Sequence, residues 1–236
     1  INSERVFIDH SLSDKINSRT QTYPILTYLV NGINYKNKQT PYSFVAGLPR
    51  HLLTTPLSTN EIIINKWCAL DLGLNTGDSV QLDYYVIGPY RQLQTQSETF
   101  LVKAIEPNQG GLFQPGLMPD FPGLSDAESC SEWDTGIPVD LKKIRDKDEH
   151  YWNLYKGTPK AIISLQKAVA LWGNPYGNHT AIRAYQPMDS AAFAQELNSL
   201  VSPEVLGLQF TQVREKGTRA AKNSVDFGEL FLSLSF

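Results

Sequence analysis

From Ile25 to Val213 the chain switches repeatedly between residues patterned in twos and residues at helical spacing, and no unit repeats; this irregular interleaving most narrows the fold. Ile25–Ile33 and Tyr42–Leu48 are β-branched and aromatic runs around a polar turn at Lys36–Gln39, which predicts a hairpin. Glu61–Ile64 reads as a short strand. Asn65–Gly73 then reads as a helix with Asn65 as its N-cap and Gly73 past its end. Asn75–Asp78 makes a turn, Ser79–Ile87 alternates like a half-buried strand, and Glu98–Ile105 is its expected antiparallel partner. Later come a helix over Val139–Tyr155, with Asp140 near its start and Gly157 near its end, and a strand at Pro159–Leu165. A short helix at Gln166–Trp172, a strand at Thr180–Tyr185, an amphipathic helix at Ser190–Leu200 and a strand at Leu208–Val213 complete the series. Such a mixture predicts an α+β fold.

Residues 107–138 interrupt the pattern for longer than a connection in a compact domain usually runs. The stretch is rich in Gly, Pro, Asp and Ser but carries Phe113, Met118, Phe121 and Trp133, which predict an ordered loop pinned to the body. With 236 residues, 41% hydrophobic and 19% charged, the chain has enough apolar material for a sizeable core.

The formal charge of −3 offers no broad attraction for nucleic acid, so no nucleic-acid partner is expected. The densest basic run, Lys142 to Glu149, is interleaved with acids and reads as a solvated helix face carrying intrahelical ion pairs. Cys68 and Cys130 permit one disulfide or two free thiols. His10, His51, His150 and His179 are scattered singly, with no metal-ligand spacing. Asn108-Gln109-Gly110-Gly111 lacks the Lys and helix of a phosphate loop, and no Gly-x-Ser-x-Gly elbow occurs. Asp120, Asp126, Glu128, Glu132 and Asp134, with Asp140, form an acid-rich run that matches no Ca²⁺ loop and reads as turn formers and caps. No catalytic, cofactor-binding or metal residue is therefore assigned, no cofactor is expected, and the chain is read as non-enzymatic.

No run of about 18 apolar residues is present, and no signal peptide opens the chain. Hydrophobicity rises through Glu229–Phe236, which raises the expectation of a membrane helix beyond.

Several segments resemble the extracytoplasmic region of FtsX-like permeases of ABC transporters. They include Glu61–Trp67 with Asp71–Val80, Leu117–Leu124, Asp126–Cys130, Trp133–Asp140, Ile144–Glu149 with Tyr151-Trp152, Gly157–Lys160 and Trp172–Asn174. The runs Pro119-Asp120-Phe121-Pro122-Gly123 and Asp146-Lys147-Asp148-Glu149 are the specific ones, and Asp226–Phe231 resembles the approach to a following membrane helix. The likeness, in a family that includes MacB-like and LolC-like proteins, implies a porter-like α+β subdomain from residues 1–56 and 176–236. It implies an inserted β-rich, sabre-like subdomain from 57–175, containing the loop 107–138.

The resemblance further implies a domain of the bacterial inner membrane facing the periplasm or extracellular side, which couples cytoplasmic ATP hydrolysis to substrate handling or partner recognition. Its partners would be its own transmembrane helices, indirectly a cytoplasmic ATP-binding subunit, and a periplasmic protein. Both chain ends would then lie at one pole. The alternative is a free-standing periplasmic ligand-binding module with a pocket lined by Trp67, Trp133, Trp152 and Trp172.

Overall fold

A computed structural model of the chain describes residues 1–3, 5–19, 21–88, 90, 92–134, 136, 138–186, 189–202, 212–222, 231–232 and 234. Strand β1 (Thr22–Tyr35) turns at Lys36-Asn37 into β2 (Lys38–Leu48), and the pair runs antiparallel from Leu26↔Gly47 to Tyr35↔Lys38. Strand β3 (Glu61–Asn65) feeds directly into a short helix, Lys66–Leu72. There the Asn65 side chain accepts the Cys68 N–H and Gly73 closes the end at a φ of 76°. The strand β4 (Ser79–Ile87) and β5 (Leu93–Glu106) form a long antiparallel ribbon, from Ser79↔Leu101 to Ile87↔Leu93. Strand β6 (Ala161–Ser164) repeats the strand-into-helix device, with Ser164 accepting the Lys167 N–H of the helix Leu165–Trp172. The last strand is β7 (Ala181–Ala184).

Six of these strands close on themselves. β1 pairs with β2, β2 with β6, β6 with β3, β3 with β5, β5 with β4, and β4 returns to β1 at Gly32–Asn34. The β2–β6 and β3–β5 pairs are parallel and the rest antiparallel. Closure gives every long strand a partner on both sides over part of its length, which removes exposed ladder edges.

The inside of the ring is filled by Val30, Val45, Ile62, Ile64, Val80, Leu82, Phe100, Val102 and Ile163, with Cys68, Leu72 and Trp172 from the two short helices packed on them. Alternate residues of the central strands face outward yet are also buried. Ala46, Ile63 and Ile162 pack with Leu53, Leu112, Phe113 and Leu117. Burial on both faces is why Ile62–Ile64 and Ala161–Ile163 are continuous apolar runs rather than alternating ones. Each fully buried Ile or Leu contributes about 1.5–3 kcal/mol, so this two-sided packing dominates the stability of the ring.

The cover comes from the described residues of 107–145, which include 3₁₀ turns at Pro115–Leu117, Cys130–Glu132 and Leu141–Lys143. Leu124 and Cys130 pack with the cross-strand pair Leu29↔Phe44 and with Trp152. The helix expected over Val139–Tyr155 begins only at Asp146. Ile144 and Arg145 are extended, and Asp140 caps the preceding 3₁₀ turn by accepting the Lys142 N–H. Numbering the helices in chain order, α1 is His10–Arg19, α2 Lys66–Leu72, α3 Asp146–Tyr155, α4 Leu165–Trp172, α5 Ser190–Leu200 and α6 Val213–Lys222.

At the N-terminal end of β1 a second layer is attached. β7 pairs with Thr22–Ile25, Ile8 bridges His179, and Ile8, Ile16, Ile182 and Leu200 make a small core with Phe193 and Leu197 beside it. Residues 1–19 and 179–200 thus meet.

The architecture is α+β. It divides into two units, Ile1–Leu200 and Val201–Phe236. The sheet does not break at residues 56 and 176, because β1 and β2 complete the ring with β3 to β6; the hairpin's hydrogen-bonding edges are satisfied by β4 and β6. In the second unit α6 holds the basic residues Arg214 to Lys222, and Val213 opens this helix rather than ending a strand. Residues 208–211 of the strand expected at Leu208–Val213, residues 226–230 of the tail Asp226–Phe231 and the position of Phe236 lie outside the described residues.

Candidate functional site

The extended Ile144-Arg145 step places Arg145 as the N-cap of α3, with Asp146, Asp148 and Glu149 in the first turn, where negative charge suits the helix dipole. The Arg145 backbone N–H donates to Asp148 Oδ2 at 3.0 Å, turning that carboxylate inward. The guanidinium then bridges two elements. Its Nε and Nη2 donate to Asp148 at 2.6 and 2.7 Å, Nη2 also donates to Asp71 Oδ2 of α2 at 2.7 Å, and Nη1 donates to the Gln39 carbonyl at 3.0 Å. Asp71 further accepts from Thr40 Oγ1 at 2.6 Å and from the Lys147 ammonium. On the far side, Lys160 Nζ lies 3.7 Å from Asp148 Oδ1 and sits over the Trp67 and Tyr151 rings, 4.4 and 4.7 Å from their centroids.

The Asp71 and Asp148 side chains are 3% and 7% exposed. Burial works to raise the Asp71 pKa, but hydrogen bonds from Lys147, Thr40 and Arg145 outweigh it, and the carboxyl stays below the usual carboxylate range. Burial lowers the Lys160 pKa, against the pull of Asp148. Two carboxylates therefore face three cations in a largely dry setting. Such a set fixes geometry strongly, because removing Asp148 leaves the buried Lys160 without its carboxylate and removing Arg145 takes away the cation shared by two buried carboxylates. Beneath it, buried Asn65 donates to the Tyr151 hydroxyl at 2.9 Å, and that hydroxyl donates to the Thr158 carbonyl at 3.1 Å. The network clamps α3 and the excursion before it to α2, the start of β2 and the residue leading into β6.

The run Lys142–Glu149 is thus not simply a solvated face. Lys142 and Lys143 are exposed, whereas Arg145 and Asp148 are drawn in by charges from distant elements. Sequence reasoning did not find Asp71 or Lys160. A lone Asp in a helix and a Lys heading an apolar strand carry no local mark of burial; the one available signal was the specificity of the Asp146–Glu149 run.

A cavity of about 20 Å³, room for one water, adjoins the clamp between Phe44, Cys130, Trp133, Trp152, Asp148 and Lys160. The four tryptophans do not line one pocket. Trp133 and Trp152 meet edge to face at 5.1 Å, Trp67 packs on Tyr151, and Trp172 stacks on Tyr28 within the ring's core. A larger open cleft, about 490 Å³, lies between β7 and α5, lined by Thr22, Ile182, Ala184, Tyr185, Ser190 and Phe193.

Cys68 and Cys130 are free, buried thiols in separate clusters, and burial pushes the Cys68 thiol up to about 12. Asp120, Asp126, Glu128, Glu132, Asp134 and Asp140 are all exposed. Asp120 accepts from Asn2, and Glu132 accepts the Glu128 N–H. Among the described residues no three His, Cys, Asp or Glu come together to hold a metal. His150 is exposed and His51 meets the Tyr185 hydroxyl at 2.6 Å. The other two histidines share one place: His10 Nε2 donates to the Asn174 carbonyl at 3.0 Å, and His179 Nδ1 lies 2.8 Å from Ser13 Oγ. The Ser13–His179 pair has nucleophile-and-base spacing, but Ser13 is fully buried and its Oγ also accepts from Asn17, so the pair locks α1 onto the 174–180 segment.

No family model matches the chain, and no curated protein sequence does. Among solved structures it is similar to the periplasmic region of MacB from Actinobacillus actinomycetemcomitans. The match has 9% identity and a TM-score of 0.43, covering 95% of this chain and 86% of that chain. That similarity is too loose to align functional residues. No described helix is long and apolar enough to cross a membrane.

Proposed function

We propose that the chain is a non-catalytic extracytoplasmic domain of an ABC transporter permease, coupling cytoplasmic ATP hydrolysis to substrate handling or partner recognition outside the inner membrane. One structural observation carries the reading: residues 1–19 and 179–200 converge in one layer at the N-terminal end of β1. A domain inserted between two membrane helices needs such a convergence to move as one body with them. The sequence resemblance supports the same reading at the residues that fix the fold. Asp148, in one specific run, anchors the clamp, and Gly123, in the other, sits at a φ of 77° where a Cβ would meet the Asp134 carbonyl oxygen. Within this proposal the layer made by residues 1–19 and 179–200 belongs to the porter-like part and the ring with its excursion to the distal part.

The test is fractionation of the intact protein. It is expected in the membrane fraction, with residues 1–200 open to protease only from the extracytoplasmic side and with a cytoplasmic ATP-binding subunit co-purifying. An intact protein recovered in the soluble fraction overturns the reading. It would bring forward the free-standing ligand-binding module, which the cleft between β7 and α5 favours, its volume lying within the range of about 300–1,000 Å³ common for ligand sites.

A further inference from the structure

The β4–β5 ribbon outgrows the ring. β4 leaves β1 at Gly32↔Asp83, yet the ribbon continues through Tyr85↔Thr95 to Ile87↔Leu93. Its base is braced: the Tyr28 hydroxyl donates to the Tyr85 carbonyl at 2.6 Å, Trp172 stacks on Tyr28, and Tyr84 meets Trp172 edge-on. Ile87 and Leu93, directly opposite on the outer face, are 61% and 40% exposed, and Tyr90 in the connecting turn is 98% exposed. An apolar cross-strand pair beneath a bare phenol, held out on a braced ribbon, gives the ring's stability nothing.

Two features specify the occupant. From Tyr84 to Ser97 the sequence has no carboxylate and one cation, Arg91, although the chain as a whole is acidic. The flanking acids are already engaged: Asp83 accepts from Asn34, Gln81 and Ser97, and Glu98 from Lys167. An aliphatic pair, a Tyr and a cation without acids is the chemistry of the bilayer interface, where aromatic tips sit at headgroup level and basic side chains reach phosphates. The second feature is direction. Because β4 is antiparallel to β1 and passes Tyr28 after Gly32, the ribbon heads toward the end of β1 to which β7 and the N-terminal segment of the chain attach.

We propose that Ile87, Tyr90 and Leu93 insert into the lipid interface beside the membrane anchor, making the ribbon a second footing for the domain. The proposal rests on the membrane-tethered reading above. A few apolar side chains bind a bilayer only weakly by themselves, and a tether that raises their effective concentration makes the contact persistent.

The test supplies the tether chemically, so its outcome does not depend on whether the natural protein spans a membrane. Tyr90→Cys is labelled with an environment-sensitive fluorophore, the native thiols being buried. The chain is then held through a C-terminal histidine tag on phosphatidylcholine–phosphatidylglycerol vesicles bearing chelator lipid. Emission is expected to shift to the blue and to be quenched by bromine- or nitroxide-labelled acyl chains. Ile87→Ser with Leu93→Ser should return it to the lipid-free value, while Leu70→Ser, an exposed leucine on α2, should change nothing. An emission unchanged by vesicles, or a blue shift that grows with protein concentration in the absence of lipid and so reports a second copy, overturns the proposal.

Discussion

The excursion 107–158 and the layer made by α1, β7 and α5 are both fastened to the same sheet, and by different forces. The excursion is held by buried charges, with Arg145 between Asp71 and Asp148 and Lys160 behind them, over a cluster that includes Leu124 and Trp152. The end layer is held by four buried apolar residues and by hydrogen bonds through His10, His179 and the Ile1 amino group, with no buried carboxylate–cation set among its described residues. Buried charge tolerates no partial removal and so fixes one arrangement, whereas a small apolar contact gives gradually.

The comparison can be broken most directly at Asp148. Asp148→Ala leaves Arg145 and Lys160 short of a counter-charge and is expected to cost ~3–5 kcal/mol in urea unfolding. Adding Lys160→Met should return part of the loss; a mild effect of Asp148→Ala alone would show that the clamp is not what fixes the excursion. Next in size, Gly123→Ala should cost about 2–3 kcal/mol, since the new Cβ would stand 1.7 Å from the Asp134 carbonyl oxygen at a positive φ. Its counterpart in the end layer is Ile16→Ala, expected at about 2 kcal/mol because a small cluster can close up on the gap. Hydrogen exchange sharpens the contrast: Ile16→Ala should speed exchange in α1 while ring amides stay protected, and equal acceleration in both would deny the end layer its independence.

A smaller effect is expected from pH. Burial, aided by His10 and opposed by Asp14, holds the His179 pKa below its ordinary 6.5. The folded state therefore prefers the neutral ring, so the stabilisation is complete above about pH 6.5 and is lost as pH falls below that toward the folded value. The protection of α1 amides, corrected for the intrinsic exchange rate, should fall as pH drops below about 6.5, and His179→Gln should flatten that fall. Smallest of all, Cys68 and Cys130 should be unreactive toward a thiol reagent until the chain unfolds, because both are buried and burial disfavours the thiolate.

Much of the fold was legible where short-range physics decides it. The β1–β2 hairpin, Asn65 and Gly73 at the two ends of α2, and the β4–β5 pairing follow from turn chemistry, capping and alternation. The helix at Val139–Tyr155 was read too long because helical spacing says nothing of Arg145, which leaves the helix to reach Asp71, 74 positions earlier in the chain. The clamp escaped for the same reason: Asp71, Arg145 and Lys160 come from three separate elements, and only their meeting removes water from them.

By itself the sequence determined the kind of most elements from β1 to α5, though not α1 or α6, because caps, turns and periodicity act over a few residues. The tertiary structure decided that six strands close into a ring, that the two ends of the first unit share a layer, and that charged residues are inside. Those outcomes depend on edges and charges finding distant partners once water is excluded, and no local pattern encodes which partner is found.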